Sequence, residues 1–600
     1  MYNYVYKEDY IIMRTVKTKE EKLQLIKAAM GEIPCDTTVR NIQFLNVFTG
    51  EIYPAEVDIY SGYVIRVRTE SEQAVSESRE IIDGEGLTMI PGYVDTHMHI
   101  ESTMLLPENF ARVSVPWGTT TICHDPHEIG NVLGVPGIKY MIENGKNTPQ
   151  RQYAMASSCV PAVPHLEHAG ASFTAEEISE ILDLDHVTGV AELMDFIGVI
   201  NGSERMHDII EAGVRKGAFL QGHCPQLSGH GLDAYVLSGI ESDHESSKCS
   251  EVVEKLRRGM YTDLKSSSLV DNFSELTKAL RQVKYHDRVS FCTDDVHVAD
   301  LLSKGHMNHL VRQAIQYGID PVDAVRMATL NGAREERLKD VGAIAPGYYA
   351  DFQLVKAIDG ELPVKVFIGG NLIAENGVYL GAPYKQGEPL QNTVHTGWIT
   401  SAEDLKLTCD QTDSVVVNVM VPEDSGNIIR HIEPLTLPVK DGEVSIEGHE
   451  DLCYVCVINR HNLHNKTIAV MKDFGLREGA LGSTIAHDSH NLTLVYKNRE
   501  DAFTVLKKLE ECGGGMALVS LGKLRSILPL PAAGLMSDKP AEEVNKELTA
   551  FQNAYYQMMD ADANLQSISL MSLTALPGVI ITDMGLADGI TQQFVPVFPK

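Results

Sequence analysis

The chain is short of positive charge. Its 600 residues carry 51 Lys and Arg against 82 Asp and Glu, a formal net charge of −31. Nucleic-acid grooves and anionic membrane surfaces need clustered positive charge, so neither is expected as the main partner. A small neutral substrate is compatible with the deficit. Cysteine is also scarce: ten residues scattered along the chain are too sparse for a disulfide scaffold, and a reducing cytoplasm is the expected compartment. No stretch of about 18 consecutive apolar residues occurs, so no helical membrane span is expected. Met1–Arg14 alternates tyrosine with charge and lacks the apolar centre of a secretory signal. Low-complexity tracts and short-period repeats are missing too. What is present has ordinary globular proportions, 44% hydrophobic and 22% charged.

Patterning divides the chain. Residues 1–36 read as an extension with a surface helix over 15–32, where Leu23, Leu25, Ile26 and Met30 make a partial apolar stripe. Short β-like runs separated by Gly and Asn fill 37–89 (NIQFLNVFTG, PAEVDIY, GYVIRV), and the same texture returns over 342–395. One small β-sandwich domain built from both segments is predicted. Between them, residues 90–341 hold a ladder of eight strand-like runs: IPGYVDTH (90–97), GTTTICH (118–124), QYAMASSCV (152–160), TGVAELM (188–194), GAFLQGH (217–223), SGIESDH (238–244), MYTDLK (260–265) and RVSFCTD (288–294). Helix-like segments alternate with them. This is the sequence form of an α/β fold, a (β/α)₈ TIM-like barrel, whose active site lies at the C-terminal ends of the strands. Residues 396–600 read as a separate C-terminal α+β domain.

The residues with chemistry sit at those ends. His97-Met98-His99 closes run one, and strand residues i and i+2 point the same way, so both imidazoles can face one metal. Alone the spacing is weak, and a surface or core pair is the plain alternative. Glu192 ends run four, where a buried carboxylate is costly unless paired or coordinated; a helix cap is its bland reading. His223 and His244 end runs five and six, each equally readable as a satisfied core histidine. With Asp294, which ends run eight, they complete four histidines and two carboxylates, the inventory of a two-metal site. Mixed nitrogen and oxygen donors suit Mn²⁺, Fe²⁺ or Zn²⁺ and exclude Ca²⁺. Asp294 is both ligand and candidate general base, and Glu192 is the candidate bridging carboxylate. Asp295 reads as a helix N-cap or a site residue. The cluster His124-Asp125-Pro126-His127-Glu128 reads as substrate contact or ligand orientation, with a capped turn as the alternative. Glu101 and Lys265 join that group.

Two motifs read as structure. Cys453-x-x-Cys456 lies in a strand-like run without a second pair nearby, so core packing outweighs zinc or redox chemistry. Gly513-Gly514-Gly515 closes a helix-like segment and lacks the GK[ST] of a phosphate loop, so a C-cap and turn is expected.

The HxH pair, Glu192, the two strand-end histidines and Asp294 resemble the amidohydrolase superfamily. Within it, HMHIES, GTTTICHDPHEIGNVLG, GVAELMDFIGVI, GHCPQLSG, GIESDHE and CTDD, with AHDSHN and LPLPAAGLMS further on, are similar to the bacterial adenine deaminases. The resemblance covers nearly all of the chain beyond residue 35. It implies that His97, His99 and Asp294 hold one metal, that His223 and His244 hold the other, and that Glu192 bridges. It also implies two divalent transition ions, Mn²⁺ or Fe²⁺ ahead of Zn²⁺, a purine substrate, a homo-oligomer, and adenine hydrolysed to hypoxanthine and ammonia. Run seven departs from the family pattern. Asp263-Leu264-Lys265-Ser266-Ser267-Ser268 stands where relatives carry an Arg-Glu-Gly-Ser-like stretch, which leaves another purine, cyclic amidine or amide as the alternative substrate.

Overall fold

The computed structural model describes residues 17–69, 71–72, 74, 77–382, 390, 392–423, 428–560 and 563–599. The first sixteen residues, with the start of the expected helix and the tyrosine-rich segment, lie outside these. The helix itself runs over Lys19–Ala29. Thr18 and Glu21 form a reciprocal capping box at its start, satisfying two N–H groups that the first turn leaves free.

The two β segments flanking the middle region join in one nine-stranded sheet. Its seam is Thr88–Pro91, which pairs parallel with Cys35–Asn46 and antiparallel with Phe352–Val355. Run one of the sequence therefore splits. Ile90 and Pro91 finish the small sheet, and the barrel begins at Tyr93.

All eight runs form barrel strands: β1 (Tyr93–Met98), β2 (Thr119–His124), β3 (Arg151–Ala156), β4 (Val187–Leu193), β5 (Phe219–Gly222), β6 (Ser242–Asp243), β7 (Tyr261–Lys265) and β8 (Val289–Cys292). β1 to β5 form one parallel ladder and β6 to β8 another. Hydrogen bonds close the two gaps, one at the first and two at the second. The Glu241 N–H reaches the Leu220 carbonyl at 2.9 Å, His99 N–H reaches Asp294 at 3.1 Å, and Asp294 N–H reaches His97 at 3.0 Å. Strands covered on both faces cannot alternate, and β2, β4 and β8 are buried at every residue.

The C-terminal region builds a nine-stranded mixed sheet from Ser414–Pro422 to Lys523–Pro529. One face carries the helix Arg499–Cys512, with Val505 and Leu509 packed among Val417, Val419 and Cys456. The other face lies on the barrel mouth: Cys453, Val455, Met471 and Leu518 share an apolar cluster with Met98, Ile100, Leu105 and Phe110. Cys453 and Cys456 thus sit on opposite faces of one strand, both fully buried, as the two-residue period of a strand requires. Burial pushes both thiols up to about 12, so they are packing residues. Gly513 caps the helix at φ +82°, and a Cβ on Gly515 would stand 2.0 Å from the Leu528 carbonyl, so the triple glycine is a helix end and a close sheet contact.

Candidate metal centre and substrate cavity

The barrel geometry brings the six strand-end groups together. His97 and His99 leave β1 on the same side, their rings 4.9 Å apart, and His97 stacks on His244 at 4.0 Å. Glu192 lies at the centre. Its Oε1 is 3.9 Å from His97 Nε2 and 3.5 Å from His99 Nε2, and its Oε2 is 2.6 Å from His223 Nδ1 and 3.2 Å from His244 Nε2. Asp294 Oδ1 stands 3.2 Å from His99 Nε2 and 3.7 Å from His97 Nε2. Asp294 holds φ +55°, a left-handed conformation uncommon outside glycine. Its main chain is fixed there by the two hydrogen bonds to β1.

The protonation pattern tests whether a cation fits. Gln221 donates to the Thr96 carbonyl at 2.8 Å and to Glu336 at 2.7 Å, so its Oε1 is left to accept from His97 Nδ1 at 3.0 Å. Burial and His244 press His97 down to about 3, so the ring is neutral and its Nε2 carries a bare lone pair. That nitrogen is buried without a hydrogen-bond partner among the described residues, yet it faces two carboxylates. His99 has the same orienting bond, Nδ1 on the Asp125 carbonyl at 3.1 Å, but the opposite shift: burial presses it down, and Asp294 at 3.2 Å with the other nearby carboxylates lifts it well above its ordinary value. A lone pair aimed at carboxylate oxygens is repulsive by itself and favourable around a divalent cation, and the hydrogen bond on the far ring nitrogen is the usual orienting device. The six groups fit a metal centre. His97 groups with His99 and Asp294, and also with Glu192 and His244.

The outer groups differ. His127 Nδ1 lies 2.9 Å from Asp125 Oδ2 and 3.4 Å from Glu192, and Asp125 Oδ1 accepts from Ser157 at 2.6 Å. His124 is buried at the end of β2, and burial presses it down to about 4. Lys265 Nζ is 2.8 Å from Asp294 Oδ2 and contacts Glu245 Oε1. Burial raises Asp294, but Lys265, His99 and His244 together outweigh it and hold the carboxyl well below the ordinary range.

A cavity of about 130 Å³ opens over chain neighbours of this centre: Asp295, which follows Asp294, and Glu128, which follows His127, are on its wall, and none of the six groups is. Its volume is room for roughly ten waters, enough for a planar bicyclic heterocycle. The barrel contributes Glu101, Ser102, Glu128 and Asp295 to its wall, and the C-terminal region contributes His487, His490, Gln566 and Leu535. Lys265 is not on this wall. Glu101 accepts from the Ile129 N–H at 3.3 Å, and burial, with Glu128 nearby, raises it to about 7. Asp295 accepts from Ser102 Oγ at 2.5 Å. Sequence reasoning passed over Gln221, Glu245, His487, Asp488 and His490. The AHDSHN run holding the last three was visible as a motif, but its partners lie in the barrel, far away along the chain.

Comparison with known proteins agrees with both halves of the molecule. The amidohydrolase family model matches residues 88–373, and the adenine deaminase C-terminal domain model matches 427–593. Adenine deaminase 2 of Carboxydothermus hydrogenoformans is 37% identical over 577 residues, covering 96% of this chain and 99% of that protein. The adenine deaminase of Moorella thermoacetica is 36% identical, covering 95% of this chain and 96% of its own. That of Clostridium botulinum (strain Loch Maree) is 35% identical, covering 96% and 97%. Identity of this order, held along both the barrel and the C-terminal half, places the chain in the adenine deaminase family.

Proposed function

We propose that this protein hydrolyses adenine to hypoxanthine and ammonia. The observation that carries the reading is the bare, buried Nε2 of His97 among carboxylates, in the same barrel mouth as a cavity of purine size. His97, His99 and Asp294 would hold one divalent ion, His223 and His244 a second, with Glu192 between them. The donor set suits Mn²⁺ or Fe²⁺, with Zn²⁺ also admissible. When bound, such ions supply Lewis acidity and make hydroxide available at neutral pH.

The remaining work falls to the chain itself. Asp294 has Oδ2 occupied by Lys265, so Oδ1, which also faces the histidines, would use its second lone pair to take a proton from water and return it to the departing amino group. Positioned proton transfer of this kind contributes about 10²–10⁴-fold. Glu101, held near 7 on the cavity wall, is suited to protonate a ring nitrogen as charge builds there. Asp125 orients His99 and His127, and Gln221 orients His97. The ten cysteines are all free thiols, which supports a reducing cytoplasmic setting.

The test is ammonia release from adenine, adenosine, guanine and cytosine by Mn²⁺-loaded protein. Adenine should be the substrate, and chelation should abolish turnover until metal is returned. A fully loaded protein that releases no ammonia from adenine would contradict the assignment.

A further inference from the structure

The segment Ala486–Asn491 reaches from the C-terminal region into the cavity. It is held from several sides. His487 N–H donates to the Ser569 carbonyl at 2.9 Å, His490 N–H donates to Ala486 at 2.8 Å, and Asn491 donates to the His168 carbonyl at 2.8 Å. Its two histidines both meet Glu128 of the barrel. His487 Nδ1 is 2.7 Å from Oε1, and His490 Nε2 contacts Oε2. His127 Nε2 stands 3.5 Å from the same Oε1 and 3.7 Å from Asp488. Glu128 is 2% exposed.

Two histidines and a carboxylate within reach of one another can also form a metal site. The tautomer of His490 decides against that here. The Ala486 N–H donates to His490 Nδ1 at 3.1 Å, so that nitrogen carries the lone pair and Nε2 carries the hydrogen. A protonated Nε2 cannot ligate a cation; it donates to Glu128. Burial presses His490 well below its ordinary value, which keeps the ring neutral, whereas Glu128 lifts His487 to about 9 against burial. Glu128 is therefore a carboxylate held by one neutral and one charged donor. Its Oε1 meets His487 at 2.7 Å, with His127 no nearer than 3.5 Å, and a carboxylate oxygen has two lone pairs, so accepting capacity remains on the cavity side.

We propose that Ala486–Asn491 is a positioning element of the active site: His487 and His490 fix the Glu128 carboxylate toward the cavity, where it accepts a ring N–H of the substrate base. This rests on the purine reading above. It gives the C-terminal region a direct part in recognition, and it disfavours nucleosides and nucleotides. A base substituted on the five-membered ring offers no N–H there, and a phosphate would face Glu128, Asp295 and Glu101.

The experiment uses metal-loaded, full-length enzyme and steady-state kinetics with adenine. His490→Leu removes the donor, His490→Gln restores an amide N–H in its place, and Glu128→Gln alters the acceptor. Losing a hydrogen bond to a charged group should raise KM for adenine tenfold or more in H490L and E128Q, with a smaller change in kcat and unchanged metal content. H490Q should recover most of the loss. For 9-methyladenine, which has no ring N–H, E128Q should change KM little. A wild-type KM in H490L, or a loss confined to kcat and accompanied by lost metal, overturns the proposal. If the wild type releases no ammonia from adenine, the reading of the reaction fails. The clamp is then decided by calorimetric binding of adenine itself: tenfold weakening in H490L but not in H490Q supports it, and equal binding or none overturns it.

Discussion

Removing the ammonium of Lys265 isolates what holds Asp294. Lys265 is 5% exposed and bridges Asp294 and Glu245. Burial presses Lys265 down, but the two carboxylates lift it well above its ordinary value. Lys265→Met keeps most of the apolar stem and strands the buried Asp294 and the part-buried Glu245. Deleting one partner of a buried ion pair costs about 3–5 kcal/mol. In a barrel-sized unit each kcal/mol moves the melting point by about 2–4 °C, so the barrel transition should fall by about 6–20 °C near neutral pH. The sign of the pH dependence follows from the shifts. The folded value of Asp294 is depressed, so its contribution is full above the unfolded value of about 3.9 and is lost as pH falls through the folded one. The folded value of Lys265 is raised, so its contribution is full below about 10.4 and is lost as pH rises through the folded one. In the variant both carboxyls take protons more readily, so the gap to wild type should narrow as pH falls. Calorimetric melting of chelator-treated protein between about pH 5 and 8 measures this, since no metal ion then compensates Asp294. Lys265→Met/Glu245→Met removes one stranded charge and should melt above the single variant. A single variant within about 2 °C of wild type at every pH, or a double variant that melts lower still, would refute the ion-pair argument.

Three further outcomes are expected. Asp294→Asn keeps the shape and removes the base, so kcat should fall by about 10²–10⁴-fold or more with only modest loss of bound metal; near-normal turnover in a metal-replete variant would assign the proton to another group. His487 sits at about 9, so its contribution to docking the C-terminal region is full below the unfolded value of about 6.5 and is lost as pH rises through 9, while that of Glu128 is lost only in acid. The melting temperature should therefore drop on the alkaline side more steeply in wild type than in His487→Asn, and parallel profiles would contradict this. Cys453 and Cys456 are buried on opposite faces of one strand, so native protein should leave both unmodified by an aromatic disulfide reagent at pH 8, and fast labelling of either would reopen a redox role.

The barrel was legible because each parallel strand repeats one plan: an apolar run, covered on both faces, that ends in a group with chemistry. Even the two-residue β6 was found, since its signal was His244 at the end and not the length of the strand. Boundaries were less legible where a run served two sheets, as Ile90 and Pro91 do. The clamp on Glu128 was not legible at all. AHDSHN carries no periodicity that points to a partner, and the contact depends on how the C-terminal sheet docks on the barrel mouth.

At Lys265 burial decides between two roles. The family resemblance makes it an altered substrate contact. The structure turns it away from the cavity, into a buried slot between Glu245 and Asp294. Both facts needed to foresee this were in the sequence. A lysine at the end of a barrel strand is too costly to bury without carboxylates. Neighbouring strands lie about 4.8 Å apart, so the ends of the sixth and eighth strands are the nearest places to find them. Glu245 follows His244 on the sixth, and Asp294 ends the eighth. The run at 263–268 is therefore better read as the support of a candidate metal ligand than as a damaged recognition loop.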